Sequence, residues 1–232
     1  VKLEDQAAKK AVFDIQDGDR TYKVGVIDIP TFYMNFEAYQ KGDPNYKSTT
    51  RDVLNLLNEL NKLKVDGIVI DLRDNGGGSL PEAAMLTDLF VDPGPVVQIR
   101  QSDNSISRNY RAYQPAVYRA PIAVLINRLS ASASEIFAGA IQDYGRGIII
   151  GSTTFGKGSV QNLVERRHGR LKITEAKFYR ISGDSTPHRG VIPDVKLPSL
   201  FDPDQIGESS YDNALPWDRI RPAPHQKYYD IA

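Results

Sequence analysis

The sequence contains no cysteine. Disulfides, thiol nucleophiles and cysteine metal sites are therefore excluded. Such a composition suits an oxidising compartment that avoids stray thiols, and equally many cytosolic proteins. No apolar run reaches the ~18 residues of a membrane-spanning helix. Net charge is also missing: 29 basic residues face 29 acidic ones, leaving no basic excess for a nucleic acid or an anionic membrane. Histidine is scarce, with only His168, His188 and His225. His168 sits in a hairpin-turn sequence and His225 in an irregular tail. No Gly-x-Ser-x-Gly elbow and no His-Glu-x-x-His occurs, so a Ser-His-Asp hydrolase and a zinc peptidase are both disfavoured. No cofactor and no metal site is expected. Internal repeats and low-complexity tracts are absent. Val1-Lys2-Leu3-Glu4 is not a signal peptide and has no initiating Met, which suggests a processed chain or an excised piece.

What remains is ample for folding. The 232 residues are 41% hydrophobic and 25% charged, within the range of a packed globular core. Asp17-Gly18-Asp19 marks a turn between the first twenty residues and a strand over Tyr22 to Ile29, stopped by Pro30. Thr31 to Tyr46 reads as an aromatic-rich loop packed on the core. A helix opens at Thr49-Thr50-Arg51-Asp52, with Val53, Leu56, Leu57, Leu60 and Leu63 on one face. Gly67 to Arg73 is a near-continuous apolar strand, of the kind covered on both faces. Asp74-Asn75-Gly76-Gly77-Gly78 then leads to Ser79 and Glu82 at capping-box spacing, with Pro81 in the first turn. Strand, glycine turn and helix start follow in order, so backbone N–H groups could point at a bound oxygen. A tight strand–helix turn explains the same residues. No third glycine stands where a dinucleotide fold needs it.

Further strands are expected at Val96 to Arg100, Ile122 to Ile126 and Ile148 to Ile150. A hairpin is expected from 160–165 and 170–179. The alternation of strands and helices indicates an α/β layered domain. From Leu197 to Ala232 the chain is rich in Pro, Asp and Tyr without periodicity, and reads as an extension wrapped on the domain or the start of a truncated one.

Chemistry concentrates in two places. Ser132 and Glu135 have capping-box spacing, which places Ser132 at a helix N-terminus beside unpaired N–H groups. An oxyanion could be stabilised there while the serine attacks, although a serine at that place is more often only a cap. Twenty-five residues later, Lys157 stands between Gly156 and Gly158 after a strand, with room for one helix and one strand returning to the same edge. Gly151 to Gly158 nearly matches a phosphate-binding loop, but Gly158 stands where Ser or Thr is required and a strand follows instead of a helix. A Ser-Lys dyad needs no histidine. Lysine normally titrates near about 10.4, but burial beside apolar groups such as Phe155 lowers that value. Neutral Lys157 could then take the Ser132 proton. Gln161, four residues on, could orient the amine. Asp143, near the end of the Ser132 helix, reads as a solvated carboxylate or as a polar support.

Four segments in order carry a resemblance. Asp74-Asn75-Gly76-Gly77-Gly78, Ser130-Ala131-Ser132-Ala133-Ser134-Glu135, Gln142-Asp143-Tyr144-Gly145-Arg146 and Thr154-Phe155-Gly156-Lys157-Gly158-Ser159-Val160-Gln161 together resemble the carboxyl-terminal processing peptidases, nearest the tail-specific protease branch. The resemblance runs from about Tyr22 to Leu197, and Asp212 to Asp218 looks like that branch's C-terminal extension. It implies a crotonase-like α/β core over residues 1–200 with an added β-hairpin region, and an irregular extension over 201–232. It implies Ser132 as nucleophile, Lys157 as general base, Gln161 at the lysine-orienting position, Asp143 at a position sometimes assigned to a relay, and the Gly78 and Ala133 N–H groups as the oxyanion hole. It further implies a periplasmic endopeptidase cutting proteins with apolar C-terminal tails, an adaptor protein as a possible partner, and a core without the PDZ module its relatives carry. Two other classes compete: a non-catalytic peptide-binding module on the same fold, and a crotonase-type acyl-CoA enzyme.

Overall fold

The structure, a computed structural model, describes residues 3–108, 110–202 and 204–229. In chain order the elements are β1 (Lys9–Asp17), β2 (Arg20–Asp28), α1 (Phe36–Gln40), α2 (Thr49–Lys62), β3 (Gly67–Asp71), α3 (Leu80–Asp88), β4 (Gly94–Pro95), β5 (Gln98–Gln101), β6 (Ile106–Ser107) and β7 (Arg111–Ala112). Then come β8 (Ile122–Ile126), α4 (Ala133–Asp143), β9 (Ile148–Gly151), β10 (Ser159–Arg166), β11 (Gly169–Tyr179) and β12 (Val195–Lys196).

The main sheet has the order β1-β2-β3-β8-β9-β12. β1 is antiparallel to β2, across a turn where Gly18 adopts φ 58°. The other five strands run parallel. Helices α2, α3 and α4 pack side by side along it. Ile27, Ile68, Ile70, Val124 and Ile149 are buried with Val53, Leu57 and Leu60 of α2 and with Phe137 and Ile141 of α4 in one apolar core. A second sheet, β10-β11-β5-β6, is antiparallel throughout and contains the expected hairpin. β4 and β7 form a small ribbon.

Three expectations need correction. β3 is not equally covered on both faces: Ile68 and Ile70 are buried while Val69 between them is only partly buried. The aromatic stretch before α2 contains the short helix α1, opened by Asn35, whose Oδ1 accepts from the Ala38 N–H. Leu63 is the C-cap of α2 and is exposed, so it leaves the apolar stripe.

Strand order decides where the site falls. β3, β8 and β9 are adjacent and parallel, so the loops leaving their carboxyl ends emerge at one edge of the sheet. Those loops are 72–79, 127–132 and 152–158, the three stretches that carry the glycines, the serine and the lysine. Open α/β sheets place their ligand sites at this edge.

Candidate active site

Ser132 is the N-cap of α4, and its backbone is unusual: φ 59°, ψ −112°. A non-glycine residue there is strained by ~1–3 kcal/mol, and such strain persists only where the surroundings hold it. The surroundings are visible. Asn75, fully buried, donates through its side-chain amide to the Ile29 carbonyl at 2.7 Å and accepts from the Gly77 N–H at 2.9 Å. The Asn75 carbonyl accepts from the Ala131 N–H at 3.0 Å and from Ser134 Oγ at 2.8 Å. Ser130 Oγ donates to the Leu72 carbonyl at 2.7 Å. The serine turn is thus sewn to the glycine loop from both sides.

Gly77 must be glycine. Its φ is 101°, and a Cβ there would stand 2.7 Å from the Ala131 carbonyl oxygen and 2.8 Å from Ser132 Cβ. The Gly77 carbonyl accepts from the Phe32 N–H at 2.9 Å and from Thr31 Oγ1 at 2.8 Å. In a trans peptide the N–H points opposite to the carbonyl, so the Gly78 N–H faces away from Phe32. Neither it nor the Ala133 N–H, the first of α4, has a hydrogen-bond partner among the described residues. The Gly77 contacts put these two donors beside Ser132.

Glu135 is the hub of the site. It is fully buried. Its Oε1 accepts from Thr154 Oγ1 at 2.5 Å and from the Gly156 N–H at 2.7 Å. Its Oε2 accepts from the Ser132 N–H at 2.8 Å and from the Lys157 N–H at 2.9 Å. One oxygen therefore brings the main chains of Ser132 and Lys157 within two hydrogen-bond lengths of each other. Burial pushes this carboxyl up to about 7, against the pull of its four donors. Sequence reading took Glu135 only as a capping partner of Ser132. Its bonds to 154, 156 and 157 cross 19 to 22 residues, and no local pattern signals them.

Lys157 is half-buried in a loop where Gly156 has φ 90°. Its amine forms no ion pair among the described residues. Burial, foremost, and then the Lys172 charge push its titration below the ordinary lysine value, while Glu208 and Glu135 pull it up. No hydrogen bond joins Ser132 Oγ to Lys157 Nζ among the described residues. Gln161 lies on β10 where the register with β11 slips, and it is exposed. Asp143 is at the other end of α4 from Ser132. It is paired with Arg180 through both carboxylate oxygens and accepts from the Ser182 N–H at 3.2 Å.

Among the described residues no cluster of three or more His, Asp or Glu could hold a metal ion, and no helix is long and apolar enough to cross a membrane.

Comparison with known proteins agrees with this geometry. The profile of peptidase family S41 matches residues 23–197, and that of the C-terminal domain of tail specific protease matches 201–232. The tail-specific protease of Haemophilus influenzae is 42% identical over 240 aligned positions, spanning 100% of this chain and 32% of that protein. The carboxyl-terminal-processing protease of Picosynechococcus sp. is 33% identical over 195 positions, spanning 84% of this chain and 44% of that one. A solved photosystem II D1 C-terminal processing protease superposes with a TM-score of 0.69 at 32% identity, covering 82% of this chain and 48% of the other. The chain spans from about a third to just under half of the length of these relatives. With the serine turn, the glycine loop and the lysine loop converging as described, the chain belongs to peptidase family S41, and its last residues match the C-terminal domain of tail-specific protease.

Proposed function

We propose that this chain carries the core of a serine endopeptidase in which Ser132 is the nucleophile and Lys157 the general base. The observation that carries the reading is the single buried Glu135 carboxylate holding the main chains of both residues. In the first step Ser132 Oγ attacks the scissile carbonyl carbon and its proton passes to neutral Lys157 Nζ. The carbonyl electron pair moves to oxygen, where the Gly78 and Ala133 N–H groups receive it. The C–N bond then breaks, Lys157 returns the proton to the departing amine, and an ester on Ser132 remains. Water, deprotonated by the same amine, hydrolyses that ester.

Gln161 is assigned to orienting the lysine amine once substrate is bound. Asp143 acts at a distance, fixing the end of α4 through Arg180. The substrates are proteins presenting apolar C-terminal tails, with an adaptor as a possible further partner. The periplasm is the assigned location, on the resemblance alone.

The test compares the chain with Ser132→Ala and Lys157→Ala on an unstructured protein substrate. Cleavage by the first alone is expected, and equal turnover in all three refutes the reading. Because the base must be neutral, and its amine is held below the ordinary lysine value, the rate should climb with pH and level off above that depressed titration. A rate independent of pH from mildly acid to alkaline conditions contradicts this.

A further inference from the structure

The C-terminal segment reaches the lysine loop through one buried guanidinium. Arg128, four residues before Ser132, is 4% exposed. Its Nε donates to the Ile206 carbonyl at 2.5 Å and its Nη1 to the Thr154 carbonyl at 2.6 Å. Gly207, at φ 137°, lies flat against the same group: a Cβ there would stand 2.1 Å from Arg128 Nη2. The next residue, Glu208, donates its N–H to the Phe155 carbonyl at 2.9 Å. The rings of Phe155 and Tyr211 lie 6.4 Å apart. Residues 206–211 therefore grip the chain on the two residues ahead of Gly156-Lys157, directly at Phe155 and through Arg128 at Thr154.

We infer that residues 206–211 are a strap of the active site, holding the 154–157 loop in place and bringing Glu208 against the loop that carries the Lys157 amine. The catalytic consequence rests on the Ser-Lys reading, whereas the strap's grip on the loop does not. The charged groups facing that amine come from three elements: Lys172 on β11, Glu135 on α4 and Glu208 on the strap. Glu208 in turn feels Lys157 and His188, and its own carboxyl is pushed up chiefly by burial. Without the strap the loop loses the Glu208 N–H bond to the Phe155 carbonyl and Arg128 loses its Ile206 partner, while the amine loses an attracting charge. A segment outside the sheet-and-helix core thereby becomes a positioning element for the base.

The experiment uses the full chain and three variants: Glu208→Gln, Gly207→Val and Tyr211→Ala. Reactivity of the Lys157 amine is read by acetic anhydride labelling and mass spectrometry across pH. In Glu208→Gln the ammonium loses an attracting charge, so labelling at pH 8 should rise at least about threefold. The acid limb of kcat/KM should move to lower pH, which a merely structural role would not produce. Tyr211→Ala and Gly207→Val should lower kcat at least about tenfold with little change in KM, because the base is misplaced but substrate contacts remain. Tyr211 is 60% exposed, so its variant serves should Gly207→Val not fold. Unchanged labelling in Glu208→Gln, or wild-type kcat in Tyr211→Ala, overturns the strap. If the unaltered chain cleaves nothing while the Glu208→Gln labelling still shifts, the strap's place against the lysine loop stands and the peptidase reading falls instead.

Discussion

Replacing Glu135 with Gln should make the protein more stable above neutral pH and nearly inactive. Two effects oppose each other. The carboxylate accepts four hydrogen bonds from the serine turn and the lysine loop, and bonds to a charged acceptor contribute ~1.5–3 kcal/mol each. Yet the group is completely buried, and its titration is raised from 4.5 to about 7 even with those bonds in place. A carboxyl whose folded pKa lies above its unfolded one gives stability that is fully present below the unfolded value and lost as pH rises through the folded value. The window is therefore about pH 4.5 to 7. At about 1.4 kcal/mol per unit the loss across it is on the order of 3 kcal/mol. Gln mimics the neutral acid and does not titrate. The variant should thus match the parent near pH 4.5 and exceed it by up to about 3 kcal/mol at pH 8. Its amide must present a donor to N–H groups that now meet an acceptor, so the serine turn and lysine loop shift apart. A displacement of that kind costs on the order of 10²-fold in rate. Urea unfolding at pH 5 and pH 8, with cleavage of an unstructured protein at pH 8, measures both. A variant less stable than the parent at pH 8, or one cleaving at the parent's rate, refutes the argument.

Two further outcomes follow from the geometry. Asp143→Asn leaves the largely buried Arg180 facing a neutral partner and should cost roughly 3 kcal/mol in urea unfolding, with kcat of the folded enzyme unchanged; lost kcat at parental stability would return Asp143 to the relay. Gly77→Ala forces a methyl against the Ala131 carbonyl and Ser132 Cβ and should lower kcat by ~10²-fold or more through the misplaced donors; a parental rate would show that the Gly78 N–H has no part in the chemistry.

Most of the secondary structure was legible because its signals are local. Alternation marked the β10–β11 hairpin, apolar runs marked β3, β8 and β9, and Ser132 with Glu135 marked the start of α4. The convergence of the glycine, serine and lysine loops followed less from any motif than from strand order, which the sequence does not print. What escaped reading was long-range. α1 is five residues long, too short for a period to show. The unequal cover of β3 escaped because an apolar strand looks the same whether its two sides are covered equally or not. Asp143 looked solvated because its partner Arg180 lies 37 residues away. Glu135 was noticed for the bond across three residues and missed for the three bonds that cross the fold.

The twisted backbone at Ser132 bears on which inactive form of the enzyme is useful. At φ 59° an alanine keeps the Cβ and inherits the parent's tension, so the turn stays cocked and the two free amides stay aimed. A glycine would relax at that joint, and the pocket could drift with it. Trapping a bound tail for structural study therefore calls for alanine, the replacement that removes the hydroxyl and leaves the spring wound.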